Sequence, residues 1–137
     1  MIRPVIAAAL LMGSGASAFA QDFTTADEVR PILDATRQGW IAVREYDGKD
    51  LLYFTHLLAW RCGLDQIYYA VNGQSEQQFN AEPCYEGDPQ PNAIKATDTL
   101  PYLTFDPKTI DVVTIRLVYD DGGEATSSYE RADILTQ

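Results

Sequence analysis

His56 is the only histidine in this 137-residue chain. Any Ser-His-Asp or Cys-His mechanism would have to use it, because the nucleophile needs an imidazole within hydrogen-bond reach. No G-x-S-x-G elbow is present to raise a serine toward it. On a strand running from Leu51 to Leu58, His56 shares a face with Ile41, Val43 and Phe54. A hydrogen-bonded structural histidine is the ordinary outcome on such a face, so His56 is a catalytic candidate only. The hydrolase that would use it also needs a neighbouring Asp or Glu.

Carboxylates are plentiful, twenty against ten Lys plus Arg, for a formal charge of −10. Asp47, Asp50, Asp88, Asp106, Asp120 and Asp121 fall where turns are expected, and turn chemistry accounts for them. A glycosidase needs two carboxyl groups roughly 5–9.5 Å apart in a cleft, and short hairpins leave little room for one. Asp120-Asp121-Gly122-Gly123-Glu124 and Asp47-Gly48-Lys49-Asp50 lack the alternating ligands and distal Glu of a calcium loop. One His and two Cys are too few for a standard zinc site. We expect no metal and no cofactor. With no basic cluster, nucleic acid and anionic membrane surfaces are not expected as partners.

Cys62 and Cys84 are the only cysteines. Leu64–Val71 and Ser75–Glu82 read as strands joined at Asn72-Gly73, a strong hairpin signal. A three-residue loop, Asn72–Gln74, places Cys62 opposite Cys84; a two-residue loop offsets them by one. Opposed Cα atoms lie roughly 4.5–5.5 Å apart, which suits a disulfide. Redox pairs are usually two residues apart near a helix start, unlike these. Around this hairpin lie Tyr53, Trp60, Tyr68, Tyr69 and Tyr85, with Arg61 among them. Tyr, Trp and Arg concentrate at the centres of protein interfaces, so these six are the candidate binding residues.

The elements that must hold these groups are partly legible. Thr25-Ala26-Asp27-Glu28 is a capping box, and Val29, Ile32, Leu33 and Thr36 recur at helical spacing. Gly39 is the expected stop, and Pro31 implies a kink or a later start. Trp40–Tyr46 and Leu51–Leu58 flank Asp47-Gly48, a second hairpin. The alternative for the second segment is a helix from Leu51 to Cys62, capped by Asp50 and ended by Gly63. Glu86–Asn92 is a loop, Leu100–Phe105 a strand. Asp111–Tyr119 alternates cleanly and returns through Asp120–Gly123 into Glu124–Ala132, polar enough for a protected sheet edge.

Residues 1–20 read as a secretory signal peptide. Arg3 precedes an apolar run from Val5 to Met12, and Ala18-Phe19-Ala20 fits the A-x-A cleavage pattern, with a cut after Ala18 as the alternative. The run is far short of the roughly 20 residues of a membrane span. The expectation is a periplasmic or secreted protein, not inserted in the membrane after cleavage. Residues 21–137 would form a single α+β domain: one N-terminal helix packed on a twisted antiparallel meander sheet of about seven strands, with one disulfide.

The run Trp40–Gly48, then Leu51–Leu58, then Trp60–Leu64, resembles a group of small secreted bacterial proteins that carries no assigned activity. The resemblance covers most of the expected mature chain, including Glu82-Pro83-Cys84 and the Tyr119-Asp120-Asp121-Gly122 hairpin. It implies one exported domain and no site. The helix-then-meander order is similar to small secreted inhibitor folds at the level of architecture alone. The leading functional expectation is an acidic binding module without catalysis, its partner a basic periplasmic protein. The alternatives are a small hydrolase using His56 and a carboxylate, or a structural, stress-protective envelope protein.

Overall fold

Thr25 opens the first helix, α1 (Ala26–Ala35), by accepting a hydrogen bond from the Glu28 N–H at 3.3 Å, while Glu28 accepts from the Phe23 N–H. The Thr25 cap thus forms, but Glu28 reaches back to the Phe23 N–H and the Thr25 hydroxyl and not to the Thr25 N–H of a full capping box, and Pro31 sits inside the helix on its exposed side. The helix ends before Gly39. Thr36 caps it, and a single 3-10 turn, Arg37–Gly39, follows. The computed structural model describes residues 22–136 and Pro4. The expected signal peptide therefore lies, Pro4 apart, outside the described residues.

After α1 come β1 (Ala42–Tyr46), β2 (Lys49–Tyr53), α2 (Thr55–Leu58), β3 (Leu64–Val71), β4 (Gln77–Gln78), β5 (Tyr102–Phe105), β6 (Val112–Tyr119), β7 (Glu124–Glu130), α3 (Arg131–Ile134) and β8 (Leu135–Thr136). The domain is α+β, but the strands do not form one meander. They form two four-stranded sheets, ordered β5-β2-β1-β8 and β4-β3-β6-β7. Three helices, not one, occur among the described residues. Both sheets contribute to one apolar cluster, with Val43 and Leu52 from the first and Val113, Ile115 and Leu117 from the second all fully buried. Val29 and Leu33 of α1 join it, and the Trp40 indole N–H donates to the Leu33 carbonyl at 2.9 Å.

The chain departs from the meander at three places. First, the expected strand Leu51–Leu58 stops at Tyr53 and turns helical. Phe54, Leu57 and Leu58 all lie in the core. Positions i, i+3 and i+4 reach one side only on a helical turn, whereas alternation would turn Leu57 away from Phe54. The longer helix alternative, Leu51–Cys62, does not form either. Second, the return strand Ser75–Glu82 is regular only at Gln77–Gln78, with one further bond from the Phe79 N–H to the Ile67 carbonyl. The chain from 79 to 101 is then irregular, and it delivers β5 to β2, with Tyr102 opposite Tyr53. Third, the last strand ends at Glu130, and after α3 the chain lies parallel to β1.

The hairpin signals themselves hold. Asp47 and Gly48 both take positive φ, as do Asn72 and Gly73, the conformation of tight turns that fit strand twist. Tyr68 opposes Gln78 and Tyr69 opposes Gln77, the register of the three-residue loop. Cys62 and Cys84 are joined, with Cα atoms 5.0 Å apart. β7 is an edge strand, as expected, and the Arg37 guanidinium covers part of its backbone by donating to the Thr126 carbonyl at 2.6 Å. No helix among the described residues is long and apolar enough to cross a membrane.

Candidate functional site

The six candidate binding residues do not form one patch. Tyr53 stands on the outer face of the first sheet, its ring 5.2 Å from that of Tyr102. Trp60 packs edge-on against Phe23 at 5.1 Å. Its indole N–H is buried, with no hydrogen-bond partner among the described residues. Tyr68 and Tyr69 are consecutive in β3 and point to opposite faces. Tyr68 lies under the Arg116 guanidinium at 4.2 Å, while Tyr69 packs edge-on against core residue Phe54 at 5.8 Å. Tyr85 lies beneath the Lys95 ammonium at 3.9 Å.

Arg61 is buried, at 4% exposure. Its guanidinium donates to the carbonyls of Leu58, Pro83, Asn92 and Ala93, all at 2.8–3.1 Å. That uses every N–H of the fork, so none is left for a partner. Nearby, buried Glu82 accepts from the Lys95 and Ala96 N–H groups and from the Tyr85 hydroxyl. Burial works against its charge, but the hydrogen bonds from Tyr85, Lys95 and Ala96 and the charge of Arg61 outweigh it and hold Glu82 below its ordinary pKa. Asn92 completes the cluster, accepting from the Cys62 N–H at 2.9 Å and donating to the Phe23 carbonyl at 3.0 Å. Arg61, Glu82 and Asn92 therefore fix the irregular segment against the disulfide. A buried arginine surrounded by carbonyls leaves no spacing signal in a sequence.

His56 sits at a different place, half-buried in α2. Its Nε2 lies 2.8 Å from the Thr36 hydroxyl, which in turn donates to the Ile32 carbonyl at 2.7 Å. Thr36 must then accept from His56, so the proton is on Nε2 and Nδ1 is bare. Burial holds the imidazole below its ordinary pKa.

The ring lines a hollow of about 700 Å3. Ala42, Tyr53, Ala59 and Ile94 supply its accessible apolar and aromatic walls, with core residues Trp40 and Ile41 behind them, and Arg44, Thr55 and Thr136 join His56 as polar groups. Among the described residues no Asp or Glu lines it. On one long strand Tyr53 and His56 would lie on different faces. The turn at Phe54 brings them into the same hollow, and Ile94 and Thr136 arrive from remote segments that carry no motif.

The acids have their own geometry. Asp65, Glu86 and Asp121 lie around Asp120 at the β6–β7 turn, and partial desolvation together with these neighbours raises the Asp120 pKa. Asp121 is paired with Arg30 at 2.5 Å. Among the described residues no group of three or more His, Cys, Asp or Glu is arranged to hold a metal ion.

No family model, curated protein or solved structure matches this chain.

Proposed function

We propose that the protein is a small exported binding module without catalytic chemistry, and that its acidic surface meets a basic protein partner in the periplasm or outside the cell. The observation that carries this reading is the crowding of Asp65, Glu86 and Asp120, which have no cation within ion-pair distance among the described residues. Carboxylates that repel one another favour a cationic surface that relieves the repulsion. The net charge of −10 and the disulfide are in keeping with export and with such a partner.

The hydrolase alternative needs a carboxylate against His56, and its described hydrogen-bond partner is Thr36. We therefore rank it below the binding reading. The test is calorimetric titration of a strongly basic protein such as a lysozyme, at low and at high salt. Binding that weakens with salt, and weakens again in the Asp65→Asn, Glu86→Gln, Asp120→Asn variant, supports the proposal. Equal affinity for the parent and the triple variant would remove its basis.

A further inference from the structure

The hollow beside His56 has a charge character opposite to that of the whole chain. Arg30, Arg37, Lys49, Lys95, Arg116 and Arg131 each hold a carboxylate at 3.9 Å or closer. Arg44 holds none among the described residues; its guanidinium lies over the Tyr46 ring at 4.4 Å. Lys108 also lacks such a partner, but it lines a separate, smaller hollow at the β1–β2 turn. Arg44 is exposed on β1 and borders the accessible apolar walls of Ala42, Tyr53, Ala59 and Ile94. His56 adds no positive charge, since burial favours its neutral form. A concave apolar surface of about 700 Å3 with one unmatched cation at its border has the size and composition of a small-ligand site.

We propose that this hollow binds a free alkyl monocarboxylate, its carboxylate paired with Arg44 and its hydrocarbon laid against the half-buried Ala42, Tyr53, Ala59 and Ile94. The planar guanidinium fork offers two parallel N–H donors to a carboxylate. The hydrocarbon supplies the rest by leaving water. This site lies apart from the Asp65–Glu86–Asp120 cluster, so it stands or falls independently of the protein partner proposed above.

The probe is decanoate below its aggregation concentration, titrated into the disulfide-bonded protein and followed by calorimetry and by backbone NMR shifts. Decanol and decyltrimethylammonium serve as neutral and cationic analogues. Decanoate should bind most tightly, with shifts centred on residues 40–44, 56 and 94. Arg44→Gln, an exposed substitution, should weaken decanoate about tenfold, the size expected for a charge-assisted hydrogen bond, and leave decanol unchanged. Ile94→Trp should fill the hollow and abolish both, with circular dichroism confirming that each variant is folded. Absent decanoate binding, an unchanged affinity in Arg44→Gln, or shifts centred elsewhere would each overturn the proposal, as would preferential capture by neutral lipid vesicles over free decanoate.

Discussion

Arg131 grips the buried carboxylate of Asp50 with both terminal nitrogens, Nη1 at 2.7 Å and Nη2 at 3.0 Å. The same carboxylate accepts from the backbone N–H groups of Lys108, Thr109 and Ile110 at 3.0–3.1 Å. Asp50 opens no helix. It joins β2, the approach to β6 and α3 through a single fully buried charge. Arg131 has a second carboxylate, Glu45, at 2.7 Å.

Replacing Asp50 by Asn should cost about 3 kcal/mol, the low end for breaking a buried ion pair, because Glu45 remains beside Arg131. Urea unfolding measures it, and a loss below about 1 kcal/mol would mean that the grip is not a stabilising contact. The pH dependence follows the same group. The hydrogen bond from Arg131 leads the forces that hold Asp50 well below its ordinary value of 3.8. Its contribution is therefore present above about pH 4 and lost as the pH falls further, since the unfolded chain takes up the proton first. The urea midpoint of the parent should drop more steeply below pH 4 than that of Asp50→Asn.

Arg61 should not tolerate lysine. An ammonium carries the charge but cannot span the carbonyls of Leu58, Pro83, Asn92 and Ala93 that the guanidinium reaches together. Arg61→Lys should destabilise the fold by about 2 kcal/mol, since buried carbonyls lose their donors. Amide exchange should accelerate first between residues 83 and 96. Uniform acceleration across the whole chain would instead place Arg61 in the global core.

Gly63 is a packing requirement, not a turn requirement. A Cβ built on it would lie 2.4 Å from Val29 Cγ2 and 2.6 Å from the Thr25 carbonyl oxygen. Gly63→Ala must push α1 away from the disulfide-bearing turn, at about 1–3 kcal/mol for overpacking. Val29→Ala removes the side-chain clash but not the one with the Thr25 carbonyl. The double variant should therefore recover only part of the loss, and full recovery would show that the backbone contact does not matter.

Because His56 is the only histidine, its titration can be read directly by NMR. Burial should place its pKa below the ordinary 6.5. The unfolded chain then binds the proton more readily, so stability is lost as the pH falls from about 6.5 toward the folded value, and is level above that range. Thr36→Val should change the ring-nitrogen shifts, because it removes the acceptor that holds the proton on Nε2. A pKa at or above 6.5 would contradict the burial and point to a carboxylate partner.

Local chemistry was legible from the residues alone. The Thr25–Glu28 cap, the Asp47-Gly48 and Asn72-Gly73 turns, the alternation from Val113 to Tyr119 and the Cys62–Cys84 pairing all follow from signals a few residues wide or from a hairpin register. Each depends on dihedral preference or side-chain periodicity, which a short segment carries in itself. Tertiary structure decided how those pieces join. Whether the chain after Tyr53 continued as strand or turned helical depended on which arrangement buried Phe54, Leu57 and Leu58 together. Whether β5 joined β3/β4 or β2 depended on the path of residues 79–101, which Arg61, Glu82 and Asn92 hold through main-chain contacts that any residue type can offer. The hollow that unites Arg44, His56, Ile94 and Thr136 has the same origin. Its walls are remote in sequence and meet only because burial and hydrogen-bond satisfaction are collective, settled over the whole fold and not residue by residue.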